Sequence, residues 1–168
     1  MTTGRVEAIR IARIGGAPMA TVERVAAHAG GGLEGDRYHK GNGEWSSSPG
    51  AGRGLTIISA DTLDEANREN PELDIAAVDT RRNVEVRGVD LDDLVGREFM
   101  IGTARCVGIR LAEPCTYLEG LVGRPILRAL SHRAGIRADI LEDGVIAVGD
   151  PIIAGVRVAP PDEVAAPH

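Results

Sequence analysis

"GIRADILEDGVIAVGDPI", residues 135–152, is the stretch on which the fold turns. Ile136, Ala138 and Ile140 alternate with Arg137 and Asp139. A period of two is the mark of a strand with one buried face. Asp143-Gly144 then predicts a type I′ turn, so the stretch is expected to close as a β-hairpin. The same texture recurs upstream. "EFMIG" and "ARCVGIRLA" predict two strands paired around Gly102-Thr103. "RNVEV" (82–86), "LTII" (55–58), "RVEAIRIARI" (5–14) and "MATVERVAAH" (19–28) are short and rich in β-branched residues, which favour strands. Helices are brief. Residues 59–70 have Ser59 to cap them and Pro71 to stop them. Residues 90–96 make a helical turn closed by Gly96, and further short helices are expected at 116–122 and 125–131, the latter with Pro125 in its first turn. Many short strands with few helices between them predict a mainly β, α+β domain built as a barrel of mostly antiparallel strands, and not a doubly wound sheet.

Composition narrows the function. The chain has 168 residues, enough for one domain; residues 1–158 are expected to form it, with 159–168 a flexible tail. Phe99, Trp45, Tyr38 and Tyr117 are its aromatics, so Val, Ile, Leu and Ala must build the core. Single-stranded nucleic acid would find no stacking platform. The net charge of −6 gives no basic footprint for a duplex, so no nucleic-acid partner is expected. No apolar run reaches the length of a membrane span and no signal segment opens the chain; the expectation is a cytoplasmic protein with no membrane partner. Lys40 is the one lysine, so a pyridoxal-type Schiff base would rest on it alone.

The chain has two cysteines, and they read differently. Cys106 lies within a strand of apolar residues and is expected to be core. Cys115, in "AEPCTYLEG" (112–120), follows a proline at a helix start. Thr116 and Glu119 match a capping box, which would leave Cys115 one residue before the cap, beside amides whose partial positive charge favours a thiolate. It is either that working thiolate or a small buried hydrophobe. "GGGLEGDRYHKGNG" (30–43) places Asp36, Arg37 and His39 on a glycine-rich frame without a P-loop or dinucleotide fingerprint. The role of the Gly/Ser-rich stretch 42–54 is open. Arg81, Arg82 and Arg133 offer planar donor forks for phosphate or carboxylate oxygens. His132, at a predicted helix end, could donate to a phosphate, act as an acid, or cap the helix.

Four segments in order, "GLEGDRYH" (32–39), "RRNVEVRGVDLDDLVGREFMIG" (81–102), "EPCTYLE" (113–119) and "HRAGIRADILEDGVIAVGDPI" (132–152), resemble the MOSC domain, the module that closes molybdenum-cofactor sulfurases. The resemblance covers residues 5–155 and points to the short stand-alone bacterial type. It implies a strand-rich barrel that holds molybdenum cofactor or the sulfur destined for it, with Cys115 as the persulfide carrier or molybdenum ligand. It implies cofactor contacts from Asp36, Arg37, His39, Arg81, Arg82, Asn83, His132 and Arg133. Without a desulfurase domain, such a protein needs a sulfur donor such as a cysteine desulfurase. An electron-transfer partner is needed if it reduces N-hydroxylated small molecules. Two other functions stay open: a non-catalytic barrel that binds a phosphorylated small molecule, and a cysteine-nucleophile enzyme pairing Cys115 with His132 or His39.

Overall fold

The computed structural model describes residues 3–40 and 52–158, with backbone alone at Tyr38 and Lys40. The tail 159–168 and most of the Gly/Ser-rich stretch lie outside the described residues. Among those described, β1 (Thr3–Ile11), β2 (Ala20–Val22), β3 (Arg24–His28), β4 (Gly32–Leu33) and α1 (Arg37–Lys40) come first. Then follow β5 (Leu55–Ser59), α2 (Ala60–Glu69), β6 (Val84–Arg87), β7 (Arg97–Ile101) and β8 (Ala104–Leu111). The last are α3 (Thr116–Val122), β9 (Ile136–Glu142), β10 (Gly144–Ala147) and β11 (Pro151–Arg157). The mainly β expectation holds. β11, β7, β8, β9, β5, β6 and β1 pair in that order, and β11 returns to β1, closing a barrel of seven strands. β5 and β6 run parallel, with α2 in the crossover between them. β10, β3 and β4 form a separate small sheet.

Aliphatic side chains fill the barrel, as the scarcity of aromatics requires. Ile9, Leu55, Ile57, Ile101, Ile136 and Ile152 share one buried cluster with Phe99. Cys106 lies among them as a core residue, fully buried. Burial, and secondarily the charge of Asp139, pushes its thiol up to about 12. An unfolded thiol ionises near 8.5, so the native state must stay protonated while the unfolded state loses its proton. The raised folded value therefore makes stability fall as pH rises above about 8.5. By pH 10 the loss attributable to this thiol is about 2 kcal/mol. Cys106→Ala removes that term. In urea titrations the gap between wild type and Cys106→Ala should close or invert between pH 7 and 10.

A second apolar cluster lies outside the barrel. Ile58, on the outer face of β5, packs with Leu63, Ala66, Leu73, Ile75, Leu118, Ile126 and Leu130. β5 is thus buried on both faces along its whole length. Ser59 caps α2 as expected, its Oγ accepting from the Thr62 amide at 3.2 Å.

Three local expectations are corrected. Residues 143–144 do not close a hairpin: β9 pairs with β8 and β5, while β10 pairs with β3. The Asp143 carboxylate accepts from the Ala29 amide, and Gly144 is required because a Cβ there would meet the Thr103–Ala104 backbone at 2.5 Å. Residues 19–28 break at Glu23, which divides β2 from β3. Residues 125–131 form turns and not a helix; the Leu127 amide is taken by the carboxylate of Glu119. The Gly102-Thr103 turn between β7 and β8 is where the sequence predicts it, with Gly102 at φ +57°.

Candidate functional site

One end of the barrel gathers the motif residues. There β1 and β8 finish while β6 and β9 begin: Ile9 is opposite Val84, Ile57 is beside both Val84 and Ile136, and Leu111 is opposite Ile136. The chain leaving β8 runs through Ala112, Glu113 and Pro114 to Cys115.

Cys115 is half-buried and free. It is itself the N-cap of α3, with extended backbone (φ −137°, ψ 169°), so the expected cap at Thr116 shifts by one residue. Its side chain makes no capping hydrogen bond. The Glu119 carboxylate does not return to the cap, being engaged by Leu127. Gly123, at φ +76°, closes the helix.

Of the sequence-predicted site residues, Arg82 and His132 bond directly to this loop, while Asp36, Arg37 and Asn83 bond to neighbouring segments. Asp36 is fully buried and accepts from the Ala12 amide at 3.0 Å and from Arg37 Nη1 at 3.2 Å. Arg37 also reaches Met19 Sδ and the carbonyl of Arg81. Arg81 holds a left-handed backbone, φ 58°, as does His132 at φ 60°. Buried Asn83 accepts from the amide and hydroxyl of Thr56 and donates to the Arg10 carbonyl at 3.1 Å. It thereby joins β1, β5 and β6. Arg82 donates to the carbonyls of Ala134, Ala112 and Glu113. His132 binds Glu113 twice, through its amide at 2.6 Å and through Nδ1 at 2.5 Å.

Two predicted residues lie apart. His39 stacks on His28, ring centroids 4.7 Å apart, and Arg133 pairs with Glu69 at 2.9 Å and Glu65 at 3.7 Å on α2. Among the described residues no hydrogen bond joins Cys115 to His132 or His39.

Sequence reasoning missed a second set of arginines. β8 is irregular between Gly108 and Arg110, so Arg110 pairs with Arg137 on the outer face while Leu111 and Ile136 turn inward. Arg137 in turn neighbours Thr56. A Cβ at Gly52 would lie 3.0 Å from the Arg137 Cβ and 3.1 Å from Arg110 Nη1, and the Gly52 amide donates to Asp139 at 2.6 Å. Burial, then the charge of Arg53, lowers the Arg110 pKa, and Asp139 partly offsets this. Arg53 Nε is buried with no partner among the described residues. The available signal was Thr56, a polar residue inside the apolar run of β5.

The family model of the MOSC domain matches residues 36–153. This chain belongs to the MOSC domain family. As a MOSC domain it shares its fold with solved bacterial proteins. YUAD protein from Bacillus subtilis superposes with a TM-score of 0.76 at 19% identity, over 92% of this chain and 96% of that one. YiiM from Geobacillus stearothermophilus gives 0.71 at 17%, over 94% and 78%. YiiM from Escherichia coli gives 0.66 at 20%, over 96% and 76%. No curated protein sequence matches. Among the described residues of this MOSC domain no helix is long and apolar enough to cross a membrane.

Proposed function

We propose that this MOSC domain binds molybdenum cofactor through Cys115, and either retains it for reductions or passes sulfur and cofactor onward. One observation carries the reading. A cysteine occupies a helix N-cap, where Ser, Thr, Asp or Asn would stabilise the helix more, and its sulfur caps nothing. The side chain packs against the outer apolar cluster, which other small residues would do as well, and a position that gives up capping stability is where function is expected.

The residues present fit the group on two counts. Among the described residues no cluster of three His, Cys, Asp or Glu could hold a metal, so a metal would arrive already held by its own organic ligand and take one bond from Cys115. A soft thiolate suits that bond. The charge of Arg53 acts on Arg110, and Arg53 Nε is buried with no hydrogen-bond partner among the described residues, which suits an anion such as the cofactor's phosphate. Bound there, the cofactor would supply oxygen-atom or N-hydroxyl redox chemistry. This chain's residues supply the sulfur, the cationic wall and the frame: Asp36, Arg82 and Asn83 hold the loops while Arg53, Arg110 and Arg137 meet charge. A sulfur donor or an electron-transfer protein completes the system. The rival pairing of Cys115 with a histidine has less support, because His132 is bound to Glu113 and its side chain is 77% exposed.

Native mass spectrometry with metal analysis, on protein from a molybdenum-replete host, tests this reading. The expected spectrum shows bound pterin and molybdenum, or one extra sulfur atom on Cys115. An unmodified chain that also takes up no cofactor released from another molybdoenzyme overturns it.

A further inference from the structure

We infer that Arg82 is the positioning residue for Cys115, acting on it through the backbone and not through a bound anion. The inference rests on the reading of Cys115 as the working group. Arg82 is 7% exposed. Its Nε donates to the Ala134 carbonyl at 2.8 Å, and its Nη2 to the carbonyls of Ala112 at 2.6 Å and Glu113 at 3.4 Å. These carbonyls belong to two segments, one entering β9 and one leaving β8. Both are drawn onto one guanidinium.

The arginine is anchored from behind. Its amide donates to Thr80 Oγ1 at 3.4 Å, the preceding Arg81 is in a left-handed turn, and the following Asn83 is locked among three strands. Among the described residues the loop it holds has few other bonds. Ala112 donates to the Gly135 carbonyl at 2.8 Å, Pro114 has no amide proton, and the Glu113 carboxylate reaches outward to His132. The carbonyl orientations of residues 112 and 113 set where the chain places residue 115, and so the direction of the thiol. A planar fork can reach three acceptors in fixed directions; an ammonium is a point charge that meets fewer of them. Charge-assisted bonds to carbonyls are also stronger than neutral ones.

The test compares Arg82→Ala and Arg82→Lys with wild type, all well below their melting temperatures. Cys115 is alkylated with a small haloacetamide and with a bulky aromatic maleimide, with and without inorganic phosphate. In wild type the half-covered thiol favours the small reagent. Arg82→Ala is expected to cut that preference about fivefold or more, because the loop opens locally, and Arg82→Lys to restore part of it. Phosphate protection, where present, should be unchanged. A purely structural role would lower the melting temperature and leave the preference intact, which overturns the proposal. So does lost phosphate protection with an unchanged preference, which makes Arg82 an anion ligand. If Arg82→Ala does not fold, Arg82→Lys decides: an intermediate preference supports positioning, and a wild-type preference refutes it. Absence of sulfur or molybdenum on Cys115 in every variant would remove the functional reading, while the reagent preference still judges Arg82.

Discussion

Gly135→Ala should destabilise the domain by about 3–5 kcal/mol or prevent its folding. Two independent costs combine at this residue. Its backbone is at φ +91°, which an L side chain rarely adopts. An added Cβ would also run into the carbonyl oxygen of Ile57 and lie 3.2 Å from the Cα of Ile58. The neighbour is main chain of a strand buried on both faces, so it cannot step aside. The Gly135 carbonyl meanwhile accepts from Ala112, at the head of the cysteine loop. Urea denaturation followed by circular dichroism measures the loss. A change under about 1 kcal/mol would mean that the close β5–β9 approach relaxes freely.

Cys115→Ser should separate function from stability in the opposite sense. Serine is nearly isosteric, and its hydroxyl is a better acceptor for the free amides of α3. The variant is expected to be as stable as wild type or up to about 1 kcal/mol more stable. It should also lose essentially all bound molybdenum or sulfane sulfur, because an alcohol is neither a soft ligand nor a sulfur nucleophile. Metal content and thermal unfolding of one preparation read both effects. Retained molybdenum would show that the cofactor is held by its anionic group alone. A marked drop in melting temperature would show that the cysteine is there for packing.

Much of this architecture is legible in the sequence, and what is not has specific physical causes. The barrel strands announce themselves by period and by β-branched residues. Gly144 misleads because a glycine can serve a turn or a close approach, and adjacent residues do not say which; here it lies against Thr103–Ala104. The turn at 125–131 misleads because its helical signal is local, whereas the Glu119 carboxylate that reshapes it comes from the preceding helix. Cys115 stands out by its residue type and its neighbours. Arg82 and Asn83 are recognisable as special without their acceptors being recognisable. A guanidinium binds a phosphate and a peptide carbonyl by the same chemistry, and only the fold shows that Arg82 meets carbonyls. Arg110 stayed hidden because the irregularity beside Gly108 changes which residues of β8 face outward, so the alternation that puts Arg137 outside on β9 did not show that the two arginines meet.

The parallel pairing of β5 with β6 has a consequence in simple parity. Around any closed ring of strands, direction must return to itself, so the number of reversals is even. This ring has seven neighbours, six of them reversing, and cannot close if all seven do. Residues 60–83 therefore cannot be shortened to a tight turn, since β6 would then arrive pointing the wrong way. The detour that arithmetic imposes delivers the outer apolar layer on which α3 rests, and with it the seat of Cys115.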